Sequence, residues 1–310
     1  MDATRQKQLC RRANRCGAGA LAYLACLAGL RGLFSLLLGL GVRGASLHNP
    51  AGLSAGQAQA VLALAQLLSL LLPGLAFCRW CGLRPLTPLA QRPPAGWAWP
   101  VYPLFLCGAM GAGVLGGWFR ARLGAGPPSP ALPEGGPALA AAFLGSCLLP
   151  ALGEEWLFRG LFQGFLRPWG SGPAILTSAL LFGLLHGEAG QCLAAFLCGL
   201  LLGLLAEGTG SLWPAVALHF GNNLLIFAGE WAARYADEGA ALSLRLMILT
   251  GLPALALTAL LRGVTGPRKP LLPCRLRPGA PWGLLARCPV LWGAVALLAL
   301  RLMAPVWGAG

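Results

Sequence analysis

Two carboxylates stand side by side in Gly153-Glu154-Glu155-Trp156-Leu157-Phe158-Arg159-Gly160, within a chain that has only 9 acidic residues in 310. The residues before them read AAFLGSCLLPAL and those after Arg159 read GLFQGFL, both strongly apolar. A buried carboxylate is costly as an anion, and burial raises its pKa toward that of a useful base. Further along come Phe182-Gly-Leu-Leu-His186 and His219-Phe-Gly-Asn-Asn223, again in apolar surroundings. Glu, His and Asn together suit general-base activation of water, a proton relay, metal binding or a structural ion cluster.

Helical spacing divides the labour. Glu155 and Arg159 are i and i+4, so they share a face and can pair. Glu154 is rotated by about 100° and is left for other work. Pro150, one turn earlier, removes a backbone hydrogen bond and can kink the helix. His219 and Asn223 are also i and i+4. A lone histidine on an apolar helix is most often a satisfied packing residue, so neither histidine is diagnostic by itself.

The elements that position these groups are membrane helices. Charged residues make up 10% of the chain and hydrophobic residues 57%, against roughly 25% charged in soluble domains. The apolar stretches fall at about 17–41, 56–77, 99–119, 137–166, 173–187, 190–206, 213–229, 240–261 and 288–306. Several reach the ~20 residues a bilayer requires. The expected fold is all-α: a polytopic transmembrane bundle of about eight or nine spans with a catalytic core of four helices. It divides into N-terminal membrane helices (1–136), a core (137–229) and C-terminal membrane helices (230–310). Gly113/Gly117 and Gly199/Gly203 are expected to bring helix backbones close.

The net charge of +14 does not point to nucleic acid, because the basic residues flank apolar segments rather than forming a soluble module. Arg5, Lys7, Arg11, Arg12 and Arg15 place the N-terminus in the cytoplasm by the positive-inside rule. Alternation puts Arg79/Arg84/Arg92, Arg167 and the stretch Arg262 to Arg287 on the same side. It puts Glu230, Asp237 and Glu238 outside, and leaves Arg120 and Arg122 outside against the rule. The start suits a retained first helix better than a cleaved signal. Arg far outnumbers Lys, and with abundant Ala, Gly and Pro this suggests GC-rich coding and a bacterial cytoplasmic membrane. Among 11 cysteines, Cys78 and Cys81 have CxxC spacing, which alone is weak evidence for zinc or redox chemistry. His48 falls in a loop, and Arg31, Arg245 and Arg301 in apolar spans are expected to snorkel.

At 1.5 Å per residue, Glu154 and Glu155 lie about 17 Å, His186 about 20 Å, His219 about 9 Å and Asn223 about 15 Å from the cytoplasmic helix ends. Antiparallel helices thus bring carboxylate, imidazoles and amide to overlapping depths. These three motifs, EExxxR, FxxxH and HxxxN on successive helices, resemble the CAAX protease and bacteriocin-processing family of intramembrane endopeptidases. The resemblance covers about 137–229 and includes the run GTGSLWPAVALHFGNN.

The resemblance implies peptide-bond hydrolysis in the membrane. Glu154 with His186 would activate a water, Arg159 would hold Glu155, and His219 and Asn223 would bind the oxyanion or orient the water. No cofactor is favoured. HExxH is absent and Asn is a poor zinc ligand; were zinc used, Glu154, His186 and His219 would hold it. The implied partner is a membrane-anchored protein or peptide, with C-terminal tail sorting one of several candidate roles. A non-enzymatic scaffold or immunity protein and a proton-coupled transporter are the alternatives.

Overall fold

A computed structural model describes residues 3–38, 41–43, 46–48, 52–93, 98–123, 132–261 and 280–307. It is a bundle of long helices, with one short hairpin pairing Gly41–Arg43 with Ser46–His48. His48, expected in a loop, is thus the last residue of a strand. The helices are α1 (Ala3–Leu38), α2 (Ala55–Cys81), α3 (Ala98–Arg122), α4 (Gly136–Trp169), α5 (Ser171–Leu185), α6 (Ala189–Thr209), α7 (Trp213–Tyr235), α8 (Glu238–Leu261), a short α9 (Ala280–Leu285) and α10 (Pro289–Trp307).

Each apolar stretch of the sequence corresponds to one helical rod. Among the described residues, six rods are long and apolar enough to cross a membrane: α1, α2, α3, α4, α6 and α8. The α5 rod is apolar but shorter, as is Pro289–Arg301 of α10. The α7 rod, which carries His219, Asn222, Asn223 and Glu230, falls outside that criterion. Of these, His219 is buried, Asn222 and Asn223 are half-buried and Glu230 is exposed, and together they lower the helix's hydropathy.

Side-chain ties identify the two ends of the bundle. At one end, Arg12 Nη1 donates to the Phe165 carbonyl (2.6 Å), linking the first turns of α1 to the last part of α4. Ser211 Oγ, between α6 and α7, donates to the Gln91 carbonyl after α2 (2.6 Å). The α10 start joins the same end, its Val290 and Leu291 N–H groups donating to Asn14 Oδ1. At the other end, Arg120 of α3 pairs with Glu188 in the α5–α6 turn (2.6 Å). There Arg234 and Tyr235 of α7 reach Glu134 and the Pro133 carbonyl, just before α4 (both 2.7 Å).

Close helix approach depends on glycine where a Cβ would collide. A Cβ on Gly199 would meet the Ala179 backbone of α5 at 3.1 Å, and one on Gly203 would meet Gln163 of α4 at 2.9 Å. That pair packs as expected. Gly113 and Gly117 do not, because each faces open space. The α3–α6 contact uses the adjoining stripe instead, with Gly116 against the Gly190 carbonyl and Gly108 against Leu201. The i, i+4 spacing was legible, but its rotation about the helix axis was not.

Candidate active site

The α4 helix is not regular. Wide π turns occupy Leu144–Leu148 and Trp156–Gln163, on either side of the α-helical Leu149–Glu155. Such turns cluster at functional sites because they re-aim side chains. Pro150 sits just after the first. It has no N–H to give to the carbonyl four residues back, which is that of Ser146. Asn223 of α7 supplies a donor in its place, Nδ2 to Ser146 O at 3.0 Å. The expected backbone defect therefore exists, and a residue of the third motif covers it.

The two glutamates are treated differently. Glu155 is fully buried, and its Oε1 accepts from Arg159 Nη1 at 2.8 Å. The same oxygen accepts from His219 Nδ1 at 2.8 Å. Glu154 keeps a slight opening, 9% exposed, and its Oε2 lies 3.9 Å from His219 Nε2. That gap is too long for a direct hydrogen bond and wide enough for a bridging group. Among the described residues no guanidinium pairs with Glu154. The Glu155–Arg159 pairing expected from the spacing is present, and His219 is an additional partner that the spacing did not reveal.

Phe182 is the hub. Its ring meets His186 edge-on at 4.8 Å and His219 at 6.0 Å, and the Arg159 guanidinium lies 4.2 Å from its centre. Its carbonyl takes the Nδ1 proton of His186 at 2.8 Å. With Nδ1 acting as the donor, Nε2 of His186 is left as an acceptor. A cavity of about 360 Å³ opens beside Phe182 and the two histidines, lined in part also by Gln191, Asn223 and Glu230. Asn222 Nδ2 is 3.4 Å from Asn223 Oδ1. The structure therefore gathers Glu154, Glu155, Arg159 and His219 into one contact group, puts His186 and His219 on one cavity wall, and turns Asn223 toward α4.

The donors named for zinc do not fit such an ion as they stand. Among the described residues, no three His, Cys, Asp or Glu side chains converge as a metal site needs. His219 also commits one ring nitrogen to Glu155. The Cys78 and Cys81 thiols lie at the end of α2, one buried and one half-buried, and both are free.

One buried acid escaped the sequence reading. Glu207, 6% exposed near the end of α6, accepts from Ser171 Oγ (3.0 Å) and Gln163 Nε2 (3.3 Å). Arg167 Nε stands 3.1 Å from it. The signal that could have found it is the scarcity of acids, because an acid closing an apolar run is as conspicuous as one inside it.

Helical rods of membrane-crossing length around a buried cluster of glutamate, arginine and histidine define a polytopic membrane protein with a polar centre inside its bundle. Residues 136–225, from the start of α4 through the site residues of α7, match the model of the family described as Rce1-like, type II CAAX prenyl endopeptidase. The match falls on the segment whose three motifs resemble that family. No curated protein and no solved structure matches the chain.

Proposed function

We propose that the chain is an intramembrane endopeptidase that hydrolyses a peptide bond of a membrane-associated protein, with Glu154 as general base. The observation that carries this reading is the asymmetry of the glutamate pair. Glu155 is neutralised by Arg159 and spends its Oε1 on His219, whereas Glu154 faces His219 across a bridgeable gap. A carboxylate without a cation partner in a dry site is the better base.

Water bound between Glu154 and the histidines gives its proton to Glu154, and its oxygen attacks the peptide carbonyl carbon. Nε2 of His186 accepts from that water and lines it up. His219, oriented through Nδ1 by Glu155 and Arg159, holds the other side. Asn223 spends one N–H on Ser146 and keeps a second for the oxyanion. Collapse breaks the C–N bond, and the amine leaves with the proton from Glu154. No step passes through a metal.

The test compares membranes carrying wild type with membranes carrying Glu154→Gln, by mass spectrometry of protein termini. New membrane-protein termini are expected only with wild type. The same termini in the variant would overturn the reading. Loss of cleavage by the purified enzyme on removal of stoichiometric zinc, with recovery on its return, would overturn the metal-free step alone.

A further inference from the structure

The cavity has a direction along the bundle. Its lining begins at the last turn of α5 (Phe182, His186), the first turn of α6 (Gln191), Glu230 of α7 and Ser146 in the first part of α4, and runs down α6 to Leu202 and α7 to Leu218, with Ala109 of α3 beside them. Ser146, His186 and Gln191 lie in the portions of α4, α5 and α6 nearest the end where Arg120 meets Glu188 and Arg234 meets Glu134, and the α6 wall continues inward from there. Toward the opposite end the cluster is sealed. Phe158, Leu161 and Phe162 are at most 1% exposed, and the Arg159 guanidinium lies over Phe182. A separate cavity of about 350 Å³, lined in part by Arg84, Gln163, Arg167 and Glu207, lies on that side.

The two ends differ in charge. The sealed end collects Arg5, Lys7, Arg11, Arg12 and Arg15 of α1 with Arg79, Arg84, Arg92, Arg167 and Arg287, against Glu207. At the open end the charges balance, with Arg31, Arg120, Arg122, Arg234 and Arg245 against Glu134, Glu188, Glu230, Asp237 and Glu238. Arg301 is not a surface charge there, since it donates to the Leu185 carbonyl at the end of α5. Basic flanks stay in the cytoplasm, so the sealed end is the cytoplasmic one. Arg120 and Arg122, awkward in a loop count, fit this frame because Glu188 neutralises Arg120.

We infer that the hydrolytic cavity opens to the extracytoplasmic side, and that its substrates are membrane-anchored proteins cut in the outer juxtamembrane segment. This rests on the proposed hydrolysis. His219 lies roughly 24 Å below the outer end of α7 at 1.5 Å per residue. An extended chain covers that distance in about seven residues. The substrate segment must therefore be unfolded and tolerant of walls that include Leu201, Leu202, Ile226 and Phe227. A tail presented at the cytoplasmic end meets the second cavity and the Arg159–Phe182 stack instead.

The chain has two lysines, Lys7 and Lys269, so amine labelling reads its orientation directly. Intact cells carrying Glu230→Lys or, separately, Glu238→Lys are treated with a membrane-impermeant amine reagent, and labelled peptides are identified by mass spectrometry. The introduced amines are expected to label in intact cells, and Lys7 only after the membrane is opened. Lys7 labelling in intact cells, with the introduced amines protected, would overturn the inference. The termini that depend on Glu154 provide the second arm. They are expected on the extracytoplasmic flank of the cut proteins' spans, and a cytoplasmic flank would overturn it. If cleavage depends on Glu154 but the labelling is reversed, only the sidedness fails. If labelling is as expected but termini ignore Glu154, only the hydrolysis fails.

Discussion

Two buried acidic nodes follow one another along α4, one at Glu154–Arg159 and one at Gln163–Arg167. At the Glu207 node a carboxylate meets Gln163, Ser171 and Arg167, so both of its oxygens are in use. At the Glu154–Glu155 node, Glu155 holds two partners, Arg159 and His219, on the single oxygen Oε1, and Glu154 is left facing a histidine across a gap. The first node ties the α4–α5 corner to the end of α6. The second contains an acid whose proton affinity is available. Burial alone does not distinguish structural from chemical carboxylates, because all three are at most 9% exposed. The number of committed partners does.

The sharpest way to break this comparison is Glu154→Gln, which keeps shape and burial and removes the base. Cleavage is expected to fall by about 10²–10⁴, with thermal unfolding in detergent unchanged. Loss of folding together with activity would make Glu154 structural, like Glu207. Next is Glu155→Ala, which strands the buried Arg159 guanidinium and releases His219. Breaking a buried pair by removing one partner costs about 3–5 kcal/mol, so both stability and activity are expected to drop. A double-mutant cycle with Arg159→Met measures the coupling, and additive losses would show that the pair is not a unit.

Much of this node was legible in the sequence, because local spacing and chain-wide scarcity of charge both pointed to it. The Glu155–Arg159 pair follows from a four-residue step on one helix. The link from His219 to Glu155 joins residues 64 apart in sequence and depends on how α7 rotates against α4. The same limit explains Gly113 and Gly117, whose spacing was right and whose face was wrong. The partner of Asn223 was hidden for another reason. Pro150 announces an unpaired carbonyl, but nothing local says which helix will satisfy it.

At the Glu207 node the expected effect is smaller and of another kind. Glu207→Ala removes one hydrogen bond each from Gln163 and Ser171, at about 0.5–1.5 kcal/mol per bond, and Gln163 Nε2 keeps the Gly203 carbonyl. Arg167 is 37% exposed in its side chain and can turn to water, which limits the loss. Thermal unfolding is expected to shift down while cleavage per folded molecule stays within a few-fold of wild type. A fall in cleavage as steep as that of Glu154→Gln would move Glu207 into the chemistry.

The smallest effect tests whether an acid near the cavity but outside the node behaves as the node does. Glu188 caps α6, its carboxylate accepting from the Gly190 and Gln191 N–H groups and from Arg120. Partial burial pushes its pKa up, but those donors and the Arg120 charge outweigh it and hold the carboxyl below its ordinary value. A depressed folded-state pKa gives stability that is fully present above the unfolded value and is lost as pH falls through the folded one. Removing such a cap costs about 0.5–2 kcal/mol. Glu188→Ala should therefore lower the unfolding temperature at neutral pH and converge on wild type in acid. Cleavage at neutral pH should be retained, because Glu188 acts on the α6 terminus and not on the water. A pH–rate profile that shifts in this variant would show instead that the rim of the cavity tunes Glu154.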